Sequence, residues 1–152
     1  MNDIVAVSAC LLGIRCRYDG GSCYDRRVVD FVRDKIIVPV CPEIFGGLPT
    51  PREACEPVQG CGGIVLVRSA SGGDYTLEYE KGAEYALQKI RESGAGSVVL
   101  KSKSPSCGCG QVYDGTFTHK AVSGYGLLAE KLLQEDVILY TENSLGSFEG
   151  GA

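Results

Sequence analysis

Eight cysteines stand beside a single histidine, His119, in a chain of 152 residues. Thiolate is the nucleophilic and metal-binding form of cysteine. A sulfur-rich donor set with almost no imidazole points away from histidine-based zinc and copper enzymes, toward iron–sulfur or structural zinc. Spacing sorts the thiols further. No Cys-x-x-Cys pair occurs, which removes the usual signature of dithiol redox proteins and of zinc ribbons. Cys55 and Cys61, set among glycines, could supply half of a zinc site. Cys107 and Cys109 lie too close for both to reach different irons comfortably, so Cys109 is read as a bystander. Cys16 and Cys23 share the first loop, where Cys16 competes with Cys10.

Other groups carry weaker signals. Glu43, two residues beyond Cys41, is a candidate general acid or base, or else a solvated loop carboxylate. Ser104 and Ser106 could donate hydrogen bonds to a ligand, or could satisfy the turn made by Pro105. Lys101 and Lys103 read as exposed charges, Arg17 to Gly20 as an Asp-Gly turn, and His119 as a surface residue in a polar run. Gly124-x-Gly126 lacks the third glycine and the preceding strand that a nucleotide fingerprint needs.

Elements must position these groups. Ile4 to Ala9 (IVAVSA) is a β-branched run ending at Cys10, and Ile36 to Val40 is a second strand stopped by Pro42 after Cys41. Ser97 to Leu100 is a third, running into the Lys101 to Gly110 loop that holds Cys107. Between them, Tyr24 to Asp34 groups Val28, Val29, Phe31 and Val32 on one helical side. The segment from Asp74 or Thr76 to Ser93 repeats Tyr79, Ala83, Ala86, Leu87 and Ile90 at helical spacing, with Gly94 as a C-cap. Phe45 to Cys61 reads as a long irregular loop, Ile64 to Arg68 as a short strand, Gly124 to Gln134 as a helix after its glycines, and Val137 to Tyr140 as a last strand.

Strands alternating with helices predict a single α/β domain over residues 1–142, with a mostly parallel, Rossmann-like sheet, flanking helices and a flexible tail at 143–152. Ligands of such sheets bind at the carboxyl ends of the strands. That fold gathers the strand-end thiols Cys10, Cys41 and Cys107 on one rim, and three thiolates would leave one iron of a cubane cluster open.

Bulk composition narrows the partners. The formal charge is -4 and the pI about 5.0, whereas proteins that grip nucleic-acid backbones carry basic surface. No stretch approaches the length of a membrane span, and the N-terminus has no basic, signal-like region, so a cytoplasmic, thiol-reducing setting is expected. Glycine, 21 of 152 residues, is about twice its usual share of roughly 7%, and much of it lies in the loops around the cysteines. Two competing classes are a non-catalytic iron–sulfur or zinc-binding protein and a thiol redox protein.

Ser8-Ala9-Cys10-Leu11-Leu12-Gly13, Arg17-Tyr18-Asp19-Gly20, Pro39-Val40-Cys41-Pro42-Glu43, Gly46 to Arg52 (GGLPTPR), Lys101 to Gly108 (KSKSPSCG) and Tyr113 to Phe117 (YDGTF) follow one another in order. Together they resemble the thiouracil desulfurase family, from Val7 to about Glu142. The resemblance implies a [4Fe-4S] cluster held by Cys10, Cys41 and Cys107 with one open iron site, and catalytic roles for Glu43 and Ser104. It implies non-redox removal of sulfur from a 2-thiouracil-type base, giving the oxo base and hydrogen sulfide, with the unique iron binding the thiocarbonyl sulfur. Cys23, Cys55, Cys61 and Cys109 fall outside the family pattern, and Cys16 sits where relatives often carry something else. The expected partner is a small thiobase or thionucleoside, with no large nucleic acid, no membrane and a monomeric chain.

Overall fold

A computed structural model describes residues 3–59 and 65–145; Cys61, Ile64 and the tail from residue 146 lie outside them. Four parallel strands form the central sheet: β1 (Ile4–Ser8), β2 (Ile36–Val40), β5 (Ser97–Leu100) and β8 (Ile138–Thr141), in the order β2-β1-β5-β8. Successive side chains of a strand point to opposite faces, and this sheet is covered on both. Ala6, Val98 and Leu100 pack against α3 (Thr76–Ser93) and α4 (Leu127–Leu132), whereas Val5, Val7 and Val99 pack toward α1 (Arg26–Val32). Residues of β1 buried on both sides explain its near-continuous apolar run. β2 is an edge strand, and so it tolerates Pro39 in its ladder.

The expected α/β architecture is the one observed. α3 spans the residues its periodicity indicates, and Tyr79, Ala83, Ala86, Leu87 and Ile90 are all buried. Two antiparallel ribbons were not legible as such: β3 (Cys55–Gln59) with β4 (Val65–Ser69), and β6 (Cys109–Tyr113) with β7 (Ala121–Tyr125). The first occupies part of the segment read as irregular loop. The chain expected to fray from Asn143 is packed as far as Leu145, which is buried beside Tyr140, while Asn143 accepts a hydrogen bond from Arg27. No helix among the described residues is long and apolar enough to cross a membrane.

Two features aim the fold at one place. Strand order reverses at β1, which pairs with β2 on one side and β5 on the other; in open α/β sheets the crevice at such a switch point is where ligands bind. The short helix α2 (Pro42–Phe45) starts where β2 ends, with Cys41 as its N-cap and Pro42 in its first turn. It meets α3 backbone to backbone. A Cβ on Gly82 would lie 1.7 Å from the Pro42 carbonyl oxygen, and one on Gly46 would lie 2.0 Å from that of Glu78.

Candidate functional site

β1 runs into a 3-10 turn, Ala9–Leu12, which places Cys10 at the strand's carboxyl end. Its carbonyl accepts the Gly13 and Cys23 N–H groups at 3.2 and 3.0 Å, folding the first loop back over it. The rim is tied across the switch point by Ser8, whose Oγ accepts the Lys101 N–H at 2.9 Å. Cys41 caps α2, and Glu43 lies in that helix's first turn. Cys107 sits in a loop stitched at both ends. Ser104 Oγ accepts the N–H groups of Ser106 and Cys107 at 3.1 and 3.0 Å, and the Ser106 carbonyl accepts the Leu128 N–H at 2.8 Å.

These three loops enclose a cavity of about 270 Å³ whose wall includes Cys10, Cys41, Cys107, Glu43 and Ser104. Cys10, Cys41 and Cys107, from three strand ends, therefore line one cavity, which is the placement the fold argument expects. Burial pushes Cys10 up to about 12, with the neighbouring Cys23 and Cys41 adding to the effect. Cys107 is raised as well, first by burial and then by Cys10 and Cys41. Such thiols stay protonated until a cationic centre offsets the cost of their charge, and its binding releases the protons. Among the described residues, no three His, Cys, Asp or Glu side chains converge on a single metal ion. Three thiols in the wall of one cavity are the donor type that an iron–sulfur cluster takes, each thiolate binding a different iron.

Glu43 is not a solvated carboxylate. Its side chain is 14% exposed, and Oε1 accepts both Nε and Nη2 of Arg52 at 3.0 and 2.7 Å. The Ser106 hydroxyl donates to Oε2 at 3.3 Å. Arg52 in turn spends Nη2 on the Cys16 carbonyl at 2.7 Å and Nη1 on the Pro49 carbonyl at 3.2 Å. A guanidinium fork of this kind fixes a carboxylate's direction as well as its charge.

Several residues outside the predicted ligand and catalytic set reach the site. Arg52 and Ser106 orient Glu43. Cys16 is buried in the cavity wall, and hydrogen bonding from its thiol draws Cys41 down to about 7. Lys101, read as an exposed charge, is half-buried in the wall and paired with Glu142 at 3.2 Å. His119 is exposed, as read, and also borders the cavity, as does Cys55. Arg17 to Gly20 is the turn expected, with Gly20 N–H donating to the Arg17 carbonyl at 2.9 Å and Gly20 at a φ of 82°. Cys109 opens β6 and packs against the α3–α4 side of the core.

Comparison with known proteins follows the same line. The profile of the family described as 2-thiouracil desulfurase matches residues 5–144. The uncharacterized protein YbbK of Bacillus subtilis (strain 168) is 41% identical over 147 residues, spanning 93% of this chain and 97% of its own. Among solved structures, the [4Fe-4S]-dependent thiouracil desulfidase TudS superposes with a TM-score of 0.83 at 35% identity, covering 99% of this chain and 97% of that one.

Proposed function

Because the chain belongs to the 2-thiouracil desulfurase family, we propose that it is a [4Fe-4S]-dependent desulfidase that converts a thiolated nucleobase and water into the oxo base and hydrogen sulfide. The observation that carries this reading is the meeting of Cys10, Cys41 and Cys107, from three strand ends, around one cavity with Glu43 in its wall. These cysteines would hold the cluster. When bound, a [4Fe-4S] cluster with three thiolate ligands supplies an open, sulfur-binding Lewis acid and needs no net electron transfer.

The remaining work falls to the chain's own groups. Arg52 and Ser106 hold the Glu43 carboxylate toward the cavity, so that Oε2 keeps a lone pair to accept the proton of a water attacking the thiocarbonyl carbon. Glu43 returns that proton as hydrosulfide departs. Ser104 Oγ already accepts two backbone N–H groups, which leaves its own O–H to donate to a polar atom of the base. Half-buried Lys101 and Arg17 both favour negative charge beside Cys10. The apolar share of the wall suits a small, flat thiobase or thionucleoside rather than a polymer.

The test is purification without oxygen, with iron, zinc and sulfide assays, followed by sulfide release from 2-thiouracil. Brown protein absorbing at roughly 400 nm and releasing hydrogen sulfide is expected. Alanine at Cys10, Cys41 or Cys107 is expected to abolish both colour and turnover. Colourless zinc-loaded protein would overturn the reading, and a single alanine variant that kept both properties would overturn the ligand set.

A further inference from the structure

The β6–β7 ribbon carries a part of the cavity wall that the desulfidase chemistry leaves unexplained. Three non-glycine residues among those described have a left-handed backbone: Lys103, Phe117 and His119, with φ of 64°, 61° and 60°. All three line the cavity. A left-handed φ is uncommon for bulky residues and costs about 1 kcal/mol or more each, so it persists only where surrounding contacts impose it. Here they do.

Buried Glu56 of β3 accepts the N–H groups of Gly115 and Phe117 at 3.0 and 3.1 Å. Asp114 accepts the Thr116 N–H at 3.0 Å, and the Thr116 and Thr118 hydroxyls meet at 2.6 Å. Gly115, at a φ of 88°, lies so near β3 that a Cβ would stand 2.7 Å from the Pro57 carbonyl oxygen. The turn is thus clamped onto the neighbouring ribbon and has little freedom.

The clamp presents a ring. Phe117 is half-buried yet joins none of the hydrophobic core clusters. His119 packs edge-on against Tyr113, with centroids 5.5 Å apart and planes at 88°. A core has no use for a phenylalanine held at the edge of a cavity by a strained turn, whereas a flat ligand does: every heteroaromatic base offers a π-face, and stacking on it tolerates changes of substituent.

We propose that Phe117 is the stacking platform of the active site, a binding residue that holds the planar, uncharged ring of the substrate while the braced His119–Tyr113 pair limits the ring's sideways position. This rests on the thiobase reading of the cavity. Phe117 contributes to ground-state and transition-state binding alike, so its loss raises KM and leaves kcat nearly unchanged.

The test compares cluster-loaded wild type with Phe117→Ala, Phe117→Leu and Phe117→Tyr. It measures sulfide release from 2-thiouracil and, by calorimetry, binding of the unreactive oxo base uracil. Phe117→Ala and Phe117→Leu are expected to raise KM and weaken uracil binding together by about tenfold or more, with kcat within about threefold, and Phe117→Tyr to restore both. Leucine keeps the apolar bulk without the π-face, and serves alone if the alanine variant fails to fold. KM and uracil affinity within about twofold of wild type in the leucine variant would overturn the platform. A wild type that releases no sulfide from thiobases would instead sink the desulfidase reading. Uracil binding would still decide the platform in that event: weakened by Phe117→Leu it stands, unchanged it falls.

Discussion

As the proposed acid–base group, Glu43 would face two demands that pull apart: it would have to be fixed in direction and still take up a proton. Arg52 meets the first through two N–H donors on Oε1 and leaves the second to Oε2, which has only a 3.3 Å contact with Ser106. Glu43→Gln keeps the shape but cannot accept the proton. It is expected to retain the cluster absorbance and lose turnover by about a hundredfold or more; undiminished sulfide release would remove Glu43 from the chemistry. The Cys16–Cys41 pair makes a second prediction. Cys41 is drawn down to about 7 chiefly by its side-chain interaction with Cys16, against a burial effect of opposite sign. Its thiolate is therefore present above about pH 7, and in cluster-free protein Cys41 should alkylate fastest as pH rises through that value. Cys16→Ala leaves burial less opposed and should shift this profile upward, as read by iodoacetamide labelling and peptide mass; an unmoved profile would contradict the hydrogen bond. The placement of Cys10, Cys41 and Cys107 around one cavity was legible in the sequence because each lies in the stretch that follows a strand. The roles of Arg52, Ser106 and Cys16 were not, because each depends on a partner 9, 63 or 25 residues away whose direction no local pattern encodes.

α2 has four residues, too few to hold its own orientation. What aims it is α3, through the direct approach of Gly82 to the Pro42 carbonyl and of Gly46 to that of Glu78. Helix propensity alone makes Gly82→Ala favourable by about 1 kcal/mol. The added methyl would overlap backbone rather than a flexible side chain, and overpacking of that kind costs about 1–3 kcal/mol or more. The net expectation is a lower Tm together with reduced iron content, because displacing α2 moves Cys41 and Glu43. An unchanged Tm with full iron loading would show that α3 does not position the site. Long elements were the easiest to read, since the α3 stripe, from Tyr79 through Ala83 to Ile90, repeats over about three turns. The β6–β7 ribbon escaped because its strands, CGQVY and AVSGY, mix glycine and polar residues with few β-branched ones. Its pairing depends on the loop that Glu56 clamps, which is a tertiary constraint.

Taken as one body, the molecule is acidic, with a net charge of -4, yet cations gather at its cavity. Most of these are committed. Arg52 is paired with Glu43 at 2.7 Å, Lys101 with Glu142 at 3.2 Å and Arg17 with Asp19 at 3.7 Å. Cations already balanced by carboxylates gain little from a phosphate backbone, because polyanion affinity grows with the number of phosphates a protein neutralises. The enzyme is therefore expected to act on the free base or nucleoside at least about tenfold faster, in kcat/KM, than on the same thiobase within intact tRNA. Raising salt from about 50 to about 200 mM should change the free-base rate by less than about twofold, whereas a site making 6–10 phosphate contacts would lose roughly a thousandfold or more in affinity. Parallel sulfide-release assays on 2-thiouracil, its nucleoside and thiolated tRNA at both salt concentrations separate the cases. A faster reaction on tRNA that collapses with salt would mean that the chain assembles a phosphate-binding surface despite its charge, and that the small cavity receives a base everted from a polymer.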